Sequence, residues 1–446
     1  MTQVRAHESR ETTYSRRLPI VPVEARGTRV RGSDGRWYRD CLAAAGAMSL
    51  GWNHPVVTEA VRRTLDSGEP LLSLDFHTPA RDAFVEALLP ALPPGLARDC
   101  VIHLCAPSGA NAIEAALTVA EIATGGRAHV AVQGGFHGCS RAARSVSSGG
   151  GLRHSRVVLG PEVRFLPFPQ PYRCPFGVGG EAGVDLAVRA VDNTFTDPHS
   201  GLADPASIVS EFVLGEGGVH PAPPRWARAL RRAADTAGVP LIADEIQAGM
   251  YRTGRAWAFE HCGVEPDMIA ISKGLGSGIP MAVLVIRRGF DAWEPGVFTG
   301  TFRGNALAFA AATAVLRYAA EHRLGDHVRA VGARLEAGLR AVAATATVIG
   351  EVRTAGLMAG VEIIDPLLPA DERGIGAPGT ALAARIQSAC LDAGLIVETG
   401  GRHGNVIRFL PPLIIDAEEI AAVVEIFADA VQRVQRAHAA SPVGVA

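Results

Sequence analysis

The sequence has almost no lysine. Lys273 is the only one in 446 residues, and every other one of the 43 basic residues is arginine. Both side chains serve equally well as surface charge, but a guanidinium stays protonated, whereas a buried lysine can lose its proton and act as a nucleophile. Lys273 is therefore either a chance survivor or a residue kept for its amine, and composition alone weights the two interpretations about equally.

Three further absences exclude whole classes of protein. No segment approaches the roughly 18 apolar residues of a membrane-spanning helix, and residues 1–20 lack the apolar core of a secretory signal. The formal net charge of −2 leaves no basic surface for nucleic acid or membranes. The seven cysteines form no C-x-x-C pair, so we expect no metal site, no disulfide framework and a cytoplasmic location.

What the sequence does contain is enough apolar material for two domains. Apolar residues make up 48% of the chain, which is too long for one compact core. Short apolar runs alternate with helical patterns in its middle, which predicts a mainly parallel sheet covered by helices on both faces. The predicted strands are 101–104, 129–133, 208–214, 240–243, 268–271 and 281–286, and the predicted helices are 111–124 and 226–237.

The pattern changes near residue 306. An alanine-rich helix is predicted over 306–322, followed by strands near 348–353, 357–364 and 406–409 and helices near 380–393 and 417–437. We interpret residues 66–305 as a large domain and residues 306–446 as a smaller α+β domain. Residues 1–65 are expected to pack with the smaller domain.

Two of the predicted strands end in residues that carry chemistry. Residues 241–247 read LIADEIQ and residues 268–274 read MIAISKG, so Asp244 and Lys273 each follow a buried strand. Ligands of parallel sheets bind where the strands end. Pyridoxal 5′-phosphate (PLP) needs such a pair, a lysine for its aldehyde and an acid that keeps its ring nitrogen protonated. Asp244 alone is better explained as a cap of the following turn, but beside Lys273 we favour the functional interpretation.

A candidate phosphate site follows the first predicted strand. Residues 106–114 read APSGANAIE and open a helix, whose free backbone N–H groups attract anions. This signal is weak alone, because many helices begin with Ser-Gly. It is not a Walker loop, and the glycines at 274–278 lack the strand and helix that flank a dinucleotide fingerprint.

Several longer segments are specific enough to compare with a known family. They are GRWYRD at 35–40, LGWNHP at 50–55, DEIQAG at 244–249, RTG at 252–254 and SKG at 272–274. Together they resemble the class III (omega-amino acid) aminotransferases of PLP fold type I, over nearly the whole chain. The resemblance implies PLP as cofactor and an α/β fold. It further implies a large domain with a mainly parallel seven-stranded sheet flanked by helices, and a smaller α+β domain from both chain termini.

The resemblance also assigns roles at the cofactor. Lys273 would form the Schiff base and shuttle a proton, Asp244 would pair with the ring nitrogen, and Gln247 would approach the ring hydroxyl. The other cofactor contacts would come from Ser108, Gly109 and Ala110 at the phosphate, from Phe136 and His137 in the GFHG segment, and from Thr301, which would reach the phosphate of a neighbouring subunit. The role of Thr301 implies a homodimer with shared active sites.

Two further residues concern the substrate. Arg408, in VIRFLPP at 406–412, matches an arginine that grips an α-carboxylate. Glu211 falls where many relatives have a glutamate that neutralises this arginine when an ω-amine is bound, and a plain salt bridge is the structural alternative. Phe212 and Leu214 stand where the family commonly has proline and glutamine. They are expected near the substrate side, where they could alter amine specificity.

Within the family, four segments look most similar to the 2,4-diaminobutyrate:2-oxoglutarate transaminases. They are FHTPARDAF at 76–84, SGANA at 108–112, GIPMAV at 278–283 and GTFRGN at 300–305. The first hypothesis is therefore ping-pong transfer of an amino group between an ω-diamino acid and a 2-oxo acid such as 2-oxoglutarate. The alternative, motivated by Phe212 and Leu214, is elimination, replacement or C–C bond formation on the same cofactor. A third hypothesis is a binding protein without catalytic activity.

Overall fold

A seven-stranded sheet lies at the centre of the computed structural model, which describes residues 7–149, 153 and 156–440. The strands are β1 (Pro22–Arg26), β2 (Arg29–Gly32), β3 (Trp37–Asp40), β4 (Cys100–Leu104), β5 (Ala128–Val132), β6 (Glu162–Leu166), β7 (Pro205–Ser210), β8 (Val213–Leu214), β9 (His220–Pro221), β10 (Leu241–Asp244), β11 (Met268–Ile271), β12 (Val283–Arg287), β13 (Ile349–Ala355), β14 (Met358–Asp365), β15 (Ala377–Pro378), β16 (Leu395–Ile396), β17 (Glu398–Gly400) and β18 (Val406–Phe409). The helices are α1 (Tyr14–Arg17), α2 (Ala43–Gly46), α3 (Pro55–Asp66), α4 (Pro79–Leu88), α5 (Pro94–Arg98), α6 (Gly109–Thr124), α7 (Arg141–Val146), α8 (Gly180–Thr196), α9 (Pro224–Ala237), α10 (Ala306–Glu321), α11 (Leu324–Ala343), α12 (Thr380–Asp392) and α13 (Ala417–Ala439).

The central sheet has the strand order β4-β12-β11-β10-β7-β5-β6. Only β12 runs antiparallel to its neighbours, so the other six strands end at the same edge. Every residue of β10 and β11 is buried, because α6 packs on one face of the sheet and α9 on the other. The predicted α/β fold with a mainly parallel seven-stranded sheet is confirmed.

Three smaller sheets accompany the central one, and the shortest of them pairs β8 with β9. β1, β2 and β3 form a sheet with β16, whose Leu395 and Ile396 pair with Arg39 and Asp40. β13, β14, β18 and β17 form a second sheet, with β15 paired to β14. The N-terminal and C-terminal parts of the chain therefore share one sheet. The predicted domain boundaries at residues 65 and 305 stay a prediction.

A buried arginine joins the loop after β10 to the β13–β14 hairpin. Arg252 donates hydrogen bonds from Nη1 to the carbonyl oxygens of Leu357 and Pro411, at 3.0 and 2.5 Å. Its own carbonyl accepts the N–H of Leu357 at 3.0 Å. Within the described residues no carboxylate forms a salt bridge with Arg252, and burial lowers the pKa of its guanidinium to about 9. The RTG segment is thus a structural joint between two parts of the fold.

Most of the predicted elements are found within one to three residues of their expected bounds. The predicted strand over 208–214 is divided, because β7 ends at Ser210 and β8 begins at Val213. The sequence pattern did not predict β6, α8 or α11. None of the described helices combines the length and apolarity that crossing a membrane requires.

Candidate active site

One cavity of about 470 Å³ brings nine of the predicted site residues together. They are Ser108, Gly109, Ala110, Phe136, His137, Glu211, Asp244, Gln247 and Lys273. Each of the segments that carry them follows a strand of the central sheet, namely β4, β5, β7, β10 or β11. Because these strands are parallel, their carboxyl ends meet at one edge. Thr301 and Arg408 do not line the cavity.

The order of the strands brings Lys273 and Asp244 to the same edge. β10 and β11 are parallel neighbours, with Asp244 opposite Ala270. Lys273 has a φ of 42°, a left-handed conformation that costs a non-glycine residue about 1–3 kcal/mol. Burial lowers the pKa of Lys273, although the negative charges of Glu216 and Asp244 act to raise it. A lowered pKa favours the neutral, nucleophilic form of the amine.

Asp244 is held by a buried histidine. Nδ1 of His137 lies 2.6 Å from Oδ2 of Asp244, and the other carboxylate oxygen accepts the N–H of Ile246 at 3.0 Å. The backbone N–H of His137 donates to Oγ of Ser147 at 2.8 Å. Burial opposes a charge on His137, but the hydrogen bond and charge of Asp244 outweigh it, so the pKa of His137 is raised. The two hydrogen bonds therefore hold the carboxyl group of Asp244 in a fixed orientation at the cavity.

The N-terminus of α6 presents a cradle for an anion. Ser108 is the N-cap residue and its side chain makes no capping hydrogen bond. Two close approaches leave no room for side chains here. A Cβ on Gly109 would lie 2.8 Å from Cδ1 of Ile246, and one on Gly138, which has a φ of +126°, would lie 2.5 Å from Cβ of Ala110. The first backbone N–H groups of a helix, close to the cavity, favour a bound phosphate.

Arg408 is fully buried beside the cavity and holds two carboxylates. Its Nη2 lies 2.8 and 2.9 Å from the two carboxylate oxygens of Glu216 and 2.6 Å from Oε2 of Glu398. Burial disfavours the charge on Glu216, but Arg408 outweighs burial and the pKa of Glu216 is lowered. Burial raises the pKa of Glu398. The hydroxyl of Tyr14, in α1, donates to Oε1 of Glu398 at 3.0 Å.

The structure corrects the expected partner of Arg408, which is not Glu211. The carboxylate of Glu211 accepts the backbone N–H groups of Phe136 and Gly215, each at 2.8 Å. Glu211 directly follows β7 and turns towards its own loop, whereas Glu216 lies further along that loop and reaches the arginine. Burial raises the pKa of Glu211 to about 7. Glu211 still lines the cavity, and its role at the substrate stays a prediction.

The remaining predicted residues lie in three different surroundings. Gln247 lines the cavity, donates to the carbonyl of Ala45 at 3.1 Å and has its Oε1 3.5 Å from Nη1 of Arg408. Phe212 and Leu214, expected near the substrate side, are instead buried core residues that do not line the cavity. Thr301 is exposed in a short turn, Thr301–Arg303, and does not line the cavity of its own chain.

The residues present fit PLP. The cavity combines an amine of lowered pKa on Lys273, an acid on Asp244, helix N–H groups at Gly109 and an aromatic ring on Phe136. PLP carries an aldehyde, a basic ring nitrogen, a phosphate and a flat ring, each of which one of these groups could hold. Nε2 of His137 is buried and has no hydrogen-bond partner among the described residues.

Comparison with protein families gives a match over nearly the whole chain. The class-III aminotransferase family model matches residues 12–431. A protein of Rhizobium meliloti (strain 1021) named diaminobutyrate–2-oxoglutarate aminotransferase is 44% identical over 429 residues, which are 96% of this chain and 91% of that protein. One with the same name from Haemophilus influenzae is 41% identical, over 95% of this chain and 93% of its own.

Two transaminases of known structure have the same fold as this chain. An (S)-enantioselective omega-transaminase from Thermomicrobium roseum superimposes with a TM-score of 0.85, at 24% identity and 97% coverage of each chain. A PLP-bound amine transaminase from an uncultivated Pseudomonas species superimposes with a TM-score of 0.84, at 24% identity over 96% of this chain and 98% of its own. The agreement extends the predicted fold type to the whole described chain.

Proposed function

Since the chain belongs to the class-III aminotransferase family, we propose that it moves an amino group between an ω-diamino acid of the 2,4-diaminobutyrate type and a 2-oxo acid such as 2-oxoglutarate. The names of its relatives supply these two substrates. Both would use one site in turn, with the donor leaving its amine before the acceptor binds. The protein is thus an aminotransferase whose proposed donor is a diamino acid.

The observation that carries this proposal is the pairing of Arg408 with Glu216 beside the Lys273 cavity. Arginine binds carboxylates in a bidentate way. A 2-oxo acid brings a carboxylate next to its reacting carbon, and the ω-end of a diamino acid does not. When Glu216 neutralises Arg408, the site suits the ω-end of the diamino acid, which has no carboxylate beside its amine. When Glu216 moves aside, Arg408 can bind the α-carboxylate of the 2-oxo acid.

PLP is the proposed cofactor, and the lining residues divide its parts among them. The N–H groups of Gly109 and Ala110 would hold the phosphate, Asp244 the ring nitrogen, and Phe136 one face of the ring. Lys273 would hold the cofactor covalently through its ε-nitrogen. When bound, PLP supplies an electron sink for the electron pair left when a proton leaves the carbon that bears the amine.

Lys273 would also move the proton. Its ε-nitrogen, with a pKa lowered by burial, would accept the proton from the substrate carbon that bears the amine. A guanidinium cannot do so, because it stays protonated. His137 would keep Asp244 oriented during this step through its hydrogen bond of 2.6 Å.

A homodimer is the proposed assembly, supported by an exposed apolar surface. This surface is formed by two segments of the chain, residues 71–76 and 297–302. Its apolar residues, all at least 41% exposed, are Leu71, Leu72, Leu74, Phe76, Val297 and Phe302. The two segments lie side by side, because Leu72 bridges to Asn305 and the N–H of Ser73 donates to the carbonyl of Gly304. Thr301 lies on the same surface, where a second copy of the chain would place it against the partner's cavity.

The test follows the visible absorption of the purified holoenzyme as donors are added. We expect glutamate and 2,4-diaminobutyrate each to bleach the band of the bound cofactor, and 2-oxoglutarate to restore it. In the complete reaction 2-oxoglutarate is converted to glutamate at the expense of the diamino acid. A band that neither donor changes would contradict the proposal.

A matched pair of variants separates the amine of Lys273 from its charge. Lys273→Arg keeps the charge without a nucleophile, and we expect activity to fall by more than about a hundredfold. Arg288→Lys makes the reverse exchange at a side chain that is 64% exposed, and activity should stay unchanged. No observation on the described residues favours a non-transamination reaction, since Phe212 and Leu214 are core residues.

A further inference from the structure

The second carboxylate on Arg408 is held in place by the backbone. β17 and β18 are antiparallel, and Glu398 lies directly opposite Arg408 in their register. Glu398 therefore stands next to the arginine whichever way the loops of the site move. Glu216 and Glu398 therefore share one buried guanidinium, and their different surroundings separate what each contact can do.

The two carboxylates differ in their freedom to move. The side chain of Glu398 is 8% exposed and is fixed at Oε1 by the hydroxyl of Tyr14. The side chain of Glu216 is 34% exposed and stands between Gly215 and Gly217. Glu216 also lines three cavities, the Lys273 cavity of about 470 Å³, a neighbouring one of about 660 Å³ and a small one of about 150 Å³. It therefore has space to rotate, whereas Glu398 has little.

A buried arginine that loses its carboxylate is strongly unfavourable unless other acceptors offset its desolvation, as two carbonyls do for Arg252. Among the described residues, the other hydrogen-bond acceptor of Arg408 is Oε1 of Gln247, at 3.5 Å. The exchange of Glu216 for a substrate carboxylate passes through an open state, in which neither is on the arginine. If Glu216 were the only partner, Arg408 would be uncompensated in that state. Oε2 of Glu398 lies 2.6 Å from Nη2, and the pairing of β17 with β18 would keep this carboxyl group beside the arginine during the exchange.

We propose that Glu398, fixed by Tyr14, is the positioning residue that holds Arg408 while Glu216 moves aside for the α-carboxylate of an amino or oxo acid. Glu216 is the exchangeable partner and Glu398 the permanent one. This inference rests on the proposed function, because it requires a site that takes substrates with and without a carboxylate at the reacting carbon. Loss of Glu398 should therefore affect only the half-reaction with glutamate and 2-oxoglutarate, whose α-carboxylates bind Arg408.

The test compares the two half-reactions of the holoenzyme in Glu398→Gln. We expect the KM for glutamate and for 2-oxoglutarate to rise about tenfold, while kcat and the KM for 2,4-diaminobutyrate change less than about twofold. Tyr14→Phe removes only the hydroxyl that fixes Glu398, and the same KM values should rise about two- to threefold. Glu398→Asp, which keeps the charge, should restore most of the affinity. Tyr14→Phe alone carries the test if Glu398→Gln does not fold.

Glu351→Gln is the matched control. Arg353 is likewise buried and paired with two carboxylates, those of Glu351 and Glu362, outside the Lys273 cavity. Loss of one of them should lower stability without separating the two half-reactions. Equal changes in both half-reactions of Glu398→Gln, or no change in either, would overturn the inference.

Failure of the proposed function gives a different result. Wild-type enzyme that takes an amine from neither donor would contradict that function. Calorimetric binding of 2-oxoglutarate to the resting holoenzyme would still decide the role of Glu398. Binding about tenfold weaker in Glu398→Gln than in Glu351→Gln supports it, and equal binding overturns it.

Discussion

At the scale of single residues, a short contact of 2.6 Å joins Nδ1 of His137 to Oδ2 of Asp244 in the cavity. His137→Phe removes that hydrogen bond and leaves a ring of similar size. Because hydrogen bonds to charged groups contribute about 1.5–3 kcal/mol, we expect kcat/KM with either donor to fall about ten- to a hundredfold. Steady-state kinetics on the holoenzyme measures this change.

The control for this prediction is a histidine–aspartate pair at the protein surface. Nε2 of His438 lies 2.8 Å from Oδ1 of Asp365, at the end of α13. His438→Phe removes a contact of the same kind outside the cavity, and kcat/KM should stay within about twofold of wild type. If both variants lose activity equally, His137 has no special role in orienting Asp244.

The meeting of Lys273 and Asp244 in one cavity could be predicted from sequence, because both lie at the ends of buried parallel strands. Glu216 carried a weaker signal, its place in the Gly-Glu-Gly segment at 215–217. The family resemblance favours Glu211 instead as the partner of Arg408. Which of two nearby acids meets Arg408 depends on how their loop turns. Glu398 carried no signal at all, because its contact with Arg408 depends on the register of β17 and β18.

At the scale of secondary structure, the turn after β5 closes against the start of α6. Gly138 has a φ of +126°, and a Cβ there would lie 2.5 Å from Cβ of Ala110. Gly138→Ala should lower the free energy of unfolding by about 1–3 kcal/mol, because both the backbone and the contact are strained. Displacement of Ala110 from the phosphate cradle should also weaken the binding of PLP, by roughly tenfold.

Titration of the apoenzyme with PLP and thermal unfolding measure the two effects of Gly138→Ala. Gly289→Ala is the control, because a Cβ on Gly289 meets no atom within 4 Å. The control should bind PLP like the wild type. Unchanged PLP binding in Gly138→Ala would mean that the α6 N-terminus does not hold the cofactor.

The elements of the central sheet were predictable where burial on both faces makes a continuous apolar run, as in β10 and β11. β6 escaped prediction because it is an edge strand whose residues alternate between exposed and half-buried. α11 begins after two residues, His322 and the left-handed Arg323, that separate it from α10. The end of α10 agrees with the predicted helix over 306–322, whereas α11 itself was not predicted.

At the scale of the whole molecule, Arg252 joins the loop after β10 to the β13–β14 hairpin. Arg252→Met would leave the carbonyl oxygens of Leu357 and Pro411 without their donor. Each unpaired buried carbonyl costs about 1–3 kcal/mol, so we expect the free energy of unfolding to fall by about 2–4 kcal/mol. Denaturant unfolding measures the loss. Arg232→Met, at a side chain 59% exposed, is the control and should stay within about 0.5 kcal/mol of wild type.

The proposed dimer is tested on its apolar surface. Phe76 is 71% exposed, and Phe76→Asp places a charge in that surface. We expect the variant to elute as a monomer and to lose at least about tenfold in activity, since burying an unpaired charge at an interface costs several kcal/mol. Leu368→Asp, at a residue 52% exposed outside this surface, is the control. A fully active monomer would show that the active site needs no second copy.

Because Lys273 is the only lysine of the chain, its side-chain amine can be modified selectively. The chain carries one ε-amine, and it opens into the cavity. A reagent that acylates amines but spares arginine would therefore label one lysine side chain besides the α-amine of the chain, and the mass of the peptide that contains Lys273 would count the labelled molecules. Protection by bound cofactor or substrate could be read directly from that count, without engineering a reporter into the protein.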